Sequence, residues 1–192
     1  MRIRIIQKII DTVRRKKRKI INPLNEIKKN NNINIPENCI NKIDLNIVGQ
    51  NNTVIIPEKI GIMGKVIINL YGDNNKIIFD ENVFVSNMLN ILIGQNHPNF
   101  GKVTNSTFTI GQNTSIESLT YITFNSNTYC NIEKDCMLSH GITIYNTDAH
   151  PIFKKGTKEV INKVKGINIG EHSWIGMGVT ILKNSFVPKN SI

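Results

Sequence analysis

The chain has 192 residues, enough for one domain with a sizeable core, and its 40% apolar fraction leans on Ile and Val, with a single Trp. The net charge is +10, but residues 1–20 hold nine Lys/Arg and one acid, leaving +2 for residues 21–192. Basicity confined to a tail argues against a nucleic-acid-binding domain.

Residues 1–22 read as a basic amphipathic α-helix. Ile6, Ile9, Ile10 and Val13 share one face, with Arg4, Lys8, Asp11 and Arg15 elsewhere. Two readings stand level. One is an interfacial helix, with residues 1–21 making a peripheral contact with anionic lipid. The other is a solvated helix packed on the rest of the chain or on a neighbouring subunit. The charges leave it short of the ~20 apolar residues of a membrane span. No uninterrupted apolar core or small-residue cleavage site marks a signal peptide. Pro23 ends the helix, and residues 23–32 read as a polar linker.

From residue 33 the chain is repetitive. Ile35-Pro-Glu-Asn-Cys-Ile parallels Val187-Pro-Lys-Asn-Ser-Ile at the far end, which places Cys39 at a small inward position. Asn46-Ile-Val-Gly-Gln-Asn-Asn and Asn69-Leu-Tyr-Gly-Asp-Asn-Asn are near copies, with Gly49 and Gly72 separated by 23 residues. Residues 33–105 read as irregular early coils of a repeat whose full turn is about eighteen residues. Asn is abundant, and it tolerates the left-handed backbone that tight corners need.

Over residues 106–192 the rhythm sharpens. Ile110, Ile116 and Ile122 are six apart, the register slips between Ser126 and Ile132, then Ile132, Leu138 and Ile144 resume it. Residues 146–166 form a long excursion. After it Ile169, Ile175, Ile181 and Val187 keep a perfect six-residue step, each followed four positions on by Ser173, Val179, Ser185 or Ser191. Six is neither the helical nor the simple strand period. It suits a parallel β-helix in which each hexapeptide forms one side of a triangular coil, and stacked coils bury a continuous aliphatic ladder. Cys136, four after Ile132, takes the same small position as Cys39. Cysteines in core register, without ligand-type spacing, point to reduced thiols in a cytoplasmic protein and to no metal site.

Ile169-Gly-Glu-His-Ser-Trp-Ile-Gly-Met, followed by Val179-Thr-Ile-Leu-Lys, resembles the I-G-x-x-x-W-I-G segment of hexapeptide-repeat acyltransferases. Asp148-Ala-His-Pro-Ile resembles the loop of their maltose/galactoside O-acetyltransferase branch and of polysaccharide O-acetyltransferases, and the 24 residues from His150 to Trp174 match that branch. The resemblance implies an all-β fold, a left-handed parallel β-helix, with a short N-terminal α-helix here. It also implies a homotrimer and acetyl-CoA as donor. The left hand comes from the family alone, because the general rule for β crossovers is right-handed. The family also implies a donor groove between prisms, lined here by Trp174, Gly176, Met177 and Gly178. Lys183 and Lys189 would either meet CoA phosphates there or solvate the surface. Relatives continue for another coil beyond the position of Ile192, so the chain reads either as truncated or as carrying an incomplete donor site.

Four histidines compete for the chemistry. His97 lies in the irregular half and reads as a loop residue. His172 occupies an outward position of a perfect coil, facing solvent or a subunit contact. His140 follows the strand residue Leu138 and is either an accessory group or a surface imidazole. His150 stands on the excursion with Asp148 two residues away. Acyl transfer to a hydroxyl needs a base, since an alcohol is a poor nucleophile at neutral pH. Histidine, with a free pKa of about 6.5, is ready to act as one. His150 is the expected base, oriented either by the Asp148 carboxylate or by a backbone carbonyl. There is no P-loop or dinucleotide fingerprint.

The expectation is an acetyl-CoA-dependent O-acetyltransferase acting on a sugar or glycan acceptor in surface polysaccharide biosynthesis, cytoplasmic and at most peripheral to the membrane's inner face. Its rivals are an N-acetyltransferase of an amino sugar nucleotide, a serine-acetyltransferase-like enzyme and an inactive β-helix binding module.

Overall fold

The computed structural model of the protein describes residues 23–95 and 102–192. The helix expected over residues 1–22, and His97, lie outside the described residues.

Residues 23–32 are not the polar linker that composition predicts. Helix α1 spans Pro23–Lys29, with a Glu26–Lys29 ion pair of 2.8 Å one turn apart. Leu24 and Ile27 pack against the core, so burial organises a segment whose remaining residues are polar.

The strands then follow in parallel coils. The first are β1 (Asn32–Asn34), β2 (Ile43–Val48), β3 (Thr53–Ile55), β4 (Gly61–Ile62), β5 (Lys65–Asp73) and β6 (Lys76–Phe79). Next come β7 (Phe84–Ile93), β8 (Val103–Thr104), β9 (Thr107–Ile110), β10 (Ser115–Thr123), β11 (Tyr129–Ile132) and β12 (Met137–Leu138). Last are β13 (Ile142–Tyr145), β14 (Ile167–Ile169), β15 (Trp174–Ile175), β16 (Thr180–Leu182) and β17 (Phe186–Val187). One sheet runs β1-β3-β6-β9-β11-β14-β17 and the other runs β2-β5-β7-β10-β12-β15, with β13 beside β10 and β16 beside β13.

The second sheet turns a corner inside β10. Ser115 and Ile116 pair with β12, while Leu119 to Ile122 pair with β13, and the register shifts between Ile116 and Ser118. A bulge of this kind bends a strand. Each coil thus has three sides, and the chain is a parallel β-helix. The bulge sits earlier than the slip expected between Ser126 and Ile132.

The coil length corrects the sequence reading. Ile169 pairs with Val187 after 18 residues, as a six-residue side predicts. Elsewhere the advance is larger: 23 from Thr53 to Lys76, 31 from Lys76 to Thr107, 22 from Thr107 to Tyr129 and 37 from Cys130 to Ile167. The early coils are as regularly paired as the late ones. Ile43, Val66 and Leu89 stack at constant 23-residue spacing. They look irregular in sequence only because their repeat is longer than eighteen.

Inward side chains form one continuous core. Val66, Ile68, Leu70, Leu89, Ile91 and Ile93 have no exposed surface, and Phe108 stacks on Tyr121 with ring centroids 4.6 Å apart. Ile169, Ile175 and Ile181 are buried and Val187 half-buried. Ser173 is buried with its hydroxyl donating to the Pro188 carbonyl at 3.0 Å, whereas Val179 is exposed. Cys39, Cys130 and Cys136 are all buried and unpaired with one another, and burial pushes each thiol up, so they stay protonated.

The asparagines have two structural duties. Eleven described non-glycine residues have positive φ, and eight of them are Asn, stacked coil over coil at the corners. Asn52 and Asn75 point inward instead and are fully buried. Asn52 Nδ2 donates to Asn31 Oδ1 (3.0 Å) and to the Gly72 carbonyl (2.9 Å), while its Oδ1 accepts from Asn75 N and Nδ2 (2.9 and 3.1 Å). Asn75 repeats the pattern toward Val103 and Ser106. Every polar valence is met, so this buried amide ladder ties successive coils together.

Candidate active site

The site is built where β13 leaves the wall. Its backbone ladder ends with Asn146 N donating to the Ile122 carbonyl at 2.9 Å. Asn146 is fully buried, and its Nδ2 donates to the Tyr129 carbonyl at 3.1 Å. Asn125 Nδ2 reaches across to the Asn146 carbonyl at 3.3 Å. The excursion therefore starts from a rigid post.

The chain then reverses within four residues. Thr147 Oγ1 accepts the Ala149 N–H at 2.8 Å, and Ala149 takes φ +61. Left-handed backbone in a residue that is neither Gly nor Asn costs of order 1–3 kcal/mol and tends to collect at functional sites. The reversal brings the His150 ring over its own loop, with Nδ1 2.5 Å from the Asp148 carbonyl oxygen. A carbonyl can only accept. Nδ1 is therefore the donor, and in the neutral imidazole Nε2 keeps its lone pair.

Of the two orienting groups the sequence left open, the backbone carbonyl is the one in contact. The Asp148 carboxylate turns away. Its Oδ2 lies 2.6 Å from Lys183 Nζ and accepts from Asn162 Nδ2 at 2.7 Å. The Lys183 ammonium, then the Asn162 amide, hold this carboxyl below the ordinary carboxylate range. Lys183 Nζ also donates to the Asn162 carbonyl at 3.0 Å. Asn162 closes the loop by donating to the His150 carbonyl (2.9 Å) and accepting from Ile152 N (2.7 Å). Lys183, expected either at CoA phosphates or in solvent, is thus committed to anchoring the excursion from the next coil. Asn162 had no sequence signal, since its partners lie 10 to 21 residues away without periodicity.

His150 lines a cavity of ≈ 390 Å³ with Phe124 and Asn125 on one side and Pro151, Val160 and Asn162 on the other. The excursion's two arms are held antiparallel by a Phe153–Val160 bridge and by Ile161 N donating to the Ile152 carbonyl at 2.8 Å. It is a hairpin.

The other expected residues lie elsewhere. Trp174 is on β15, 48% exposed, in register with exposed Met137. Met177 is exposed, and open space lies over Gly176 and Gly178, where an added Cβ would meet nothing within 4 Å. His140 is exposed in the turn after β12, and its carbonyl accepts the Gly178 N–H at 3.0 Å. That contact joins His140 to the glycine turn through backbone. Neither His140 nor Trp174 lines the His150 cavity. His172 has φ +57 and its Nδ1 lies 3.0 Å from Asn190 Oδ1, so it occupies a corner position otherwise held by Asn or Asp.

No protein-family model matches the chain. A polysialic acid O-acetyltransferase of Neisseria meningitidis is 33% identical over 159 residues, 80% of this chain and 66% of that protein. Over four fifths of its length the chain is thus similar to a polysaccharide O-acetyltransferase. A polysialic acid O-acetyltransferase of Escherichia coli O1:K1 / APEC is 38% identical over 56 residues, 28% of this chain and 18% of that one. The chain therefore spans just under two thirds of the first relative and about a fifth of the second. The crystal structure of the polySia specific acetyltransferase NeuO superposes with a TM-score of 0.56 at 24% identity, covering 78% of this chain and 81% of that one, which speaks for the fold. Among the described residues no helix is long and apolar enough to cross a membrane.

Proposed function

We propose that the protein is an acetyl-CoA-dependent O-acetyltransferase that modifies a hydroxyl of an anionic surface polysaccharide. The observation that carries this reading is the His150 imidazole at the mouth of a cavity, with Nδ1–H committed to a carbonyl and Nε2 left as an acceptor. The acceptor oxygen attacks the thioester carbonyl carbon while Nε2 takes its proton. The C–S bond then breaks, and the proton passes from Nε2 to the departing thiolate. An amine acceptor would place less demand on a base. The hydroxyl reading is also the one supported by the named relatives.

The donor fits the strip formed by Trp174, Gly176, Met177 and Gly178. Its glycines carry open space, and Gly178, at φ +72, keeps a backbone few other residues adopt. An extended pantetheine arm can lie against such a surface. Phe84, Met137 and Trp174 are exposed along one row of parallel strands, with Ser115 between Phe84 and Met137, a largely apolar row that supports packing of one prism on another. We place the protein in a homotrimer of left-handed β-helices, with each donor strip facing a neighbour's His150 loop. His140, tied to Gly178, is then an accessory group at the donor strip. Residues 1–22 are a separate basic unit that meets the anionic inner face of the membrane, residues 33–192 form the transferase body, and the protein is cytoplasmic.

The test is a transfer assay with acetyl-CoA against polysialic acid, amino sugar nucleotides and serine. O-acetyl ester formed on the polymer is the expected result. Transfer only to an amine or to serine, or no transfer to any of them, overturns the reading.

A further inference from the structure

Residues 151–166, the hairpin, hold five lysines and one glutamate. That net +4 stands against +2 for residues 21–192 as a whole, so the rest of the body is net negative. Lys154 pairs with Glu159 at 3.7 Å. Lys155, Lys158, Lys163 and Lys165 have no acid partner among the described residues and are exposed.

The backbone carrying these charges is held firmly. Lys154 N donates to the Glu159 carbonyl (2.9 Å) and Thr157 N to the Lys154 carbonyl (3.0 Å), which closes the tip. At the base Lys165 N donates to Asn184 Oδ1 (2.6 Å), and Asn184 Nδ2 donates to the Lys163 carbonyl (3.2 Å). Lys163 itself lines the His150 cavity. Unpaired lysines thus run from the cavity rim to the hairpin tip. From Lys158 at the tip to Lys165 at the base the arm runs seven residues, bending at Ile161 and Asn162.

We infer that this hairpin is a binding rail for an anionic glycan chain, whose repeated carboxylates lie along Lys155, Lys158, Lys163 and Lys165 while one of its units occupies the His150 cavity. The inference rests on the transferase reading above and names what that site selects: a polymer over its monomer. A single sugar reaches Lys163 alone. A longer chain reaches the tip and gains one weak, exposed ion pair per lysine, with the gains accumulating because the units are linked.

Binding without turnover separates this from the transferase reading. Sialic acid oligomers of two and of ten units, a carboxyl-reduced ten-unit oligomer, and CoA are titrated against the full-length protein and against the K155Q/K158Q/K165Q variant. The wild type is expected to bind the ten-unit oligomer about tenfold more tightly than the dimer, with the gain lost at high salt. The variant is expected to lose that length dependence, and the reduced oligomer is expected to show none. A charge-matched variant at K28Q/K29Q/K59Q, on helix α1 and the first coils, should retain the gain. Unchanged length dependence in the triple variant overturns the inference, as does an affinity loss confined to CoA, which would assign the lysines to the donor's phosphates. All three substituted side chains are exposed, and an unchanged Tm confirms that the variant is folded.

Discussion

In the wall, Val66, Ile68, Leu70, Leu89, Ile91 and Ile93 have no exposed surface, whereas in the hairpin Ile152, Phe153 and Ile161 are 46%, 53% and 58% exposed. The wall is held by apolar burial and by parallel ladders that repeat every coil. The hairpin is held by a few polar contacts at its base, centred on Asp148, Asn162 and Lys183. Stability and the proposed chemistry are therefore assigned to different residues. A change in one region should leave the other nearly intact, and the following experiments test that separation.

The largest effect is expected from the hairpin side. His150→Ala should lower turnover by roughly 10²–10⁴, the usual size of a general-base contribution. The side chain is exposed and outside the Ile/Val core, so Tm should not move. Steady-state kinetics and a thermal melt on the same sample check both halves. Retained turnover would remove His150 from the mechanism. A lowered Tm would show that hairpin and wall are not separable.

The mirror experiment strikes the wall. Asn75→Ala deletes a fully buried rung and leaves Asn52 Oδ1, the Val103 carbonyl and the Ser106 N–H short of partners. With a cost near 1–3 kcal/mol for an orphaned buried group and partial relaxation, a loss of about 2–4 kcal/mol is expected. Denaturant titration should show it as a lower midpoint. Turnover per folded molecule, measured well below Tm, should be unchanged, because neither Asn75 nor its partners Asn52, Val103 and Ser106 line the His150 cavity.

The wall and the hairpin also differ in how far the sequence revealed them. The six-residue step at Ile169, Ile175, Ile181 and Val187 is a direct image of three sides per coil, and Ile169 does return to Val187 after 18 residues. The 23-residue repeat at Gly49 and Gly72 was visible too, but an eighteen-residue template disguised it as irregularity. Helix α1 was missed because its two apolar anchors, Leu24 and Ile27, give too little periodic signal in seven residues. In the site, His150 stood out as the titratable group on the longest break in the rhythm. Its orienting partner did not. A backbone carbonyl has no sequence identity, so the sequence leaves it open against the Asp148 side chain. Asn162 and Lys183 reach Asp148 from 14 and 35 positions away, through a fold that local patterning does not encode.

The smallest effect concerns the joint between the two regions. Lys183→Met removes the cation from Asp148 and one donor from the Asn162 carbonyl, while the Asn162 amide still holds Asp148 and His150. The hairpin base should loosen without detaching. Misplacing a reacting group slightly is enough to cost about tenfold in turnover. Acid offers a second way to open the same joint, and its sign is fixed by the carboxylate. The Lys183 ammonium and the Asn162 amide hold the folded Asp148 carboxyl below the ordinary carboxylate range, so its contribution is fully present above that range and is lost as pH falls through the lower, folded pKa. Near neutrality the anchor should be intact and indifferent to pH. Hydrogen exchange at Ile152, Ile161 and Lys165, measured from neutral pH downward and corrected for intrinsic rates, should stay flat until the acid side of the ordinary carboxylate range and then rise. In Lys183→Met the rise should begin at higher pH, because the main group depressing the Asp148 carboxyl is gone. Exchange that quickens between neutral pH and the carboxylate range would mean that something other than Asp148 holds the hairpin to the wall.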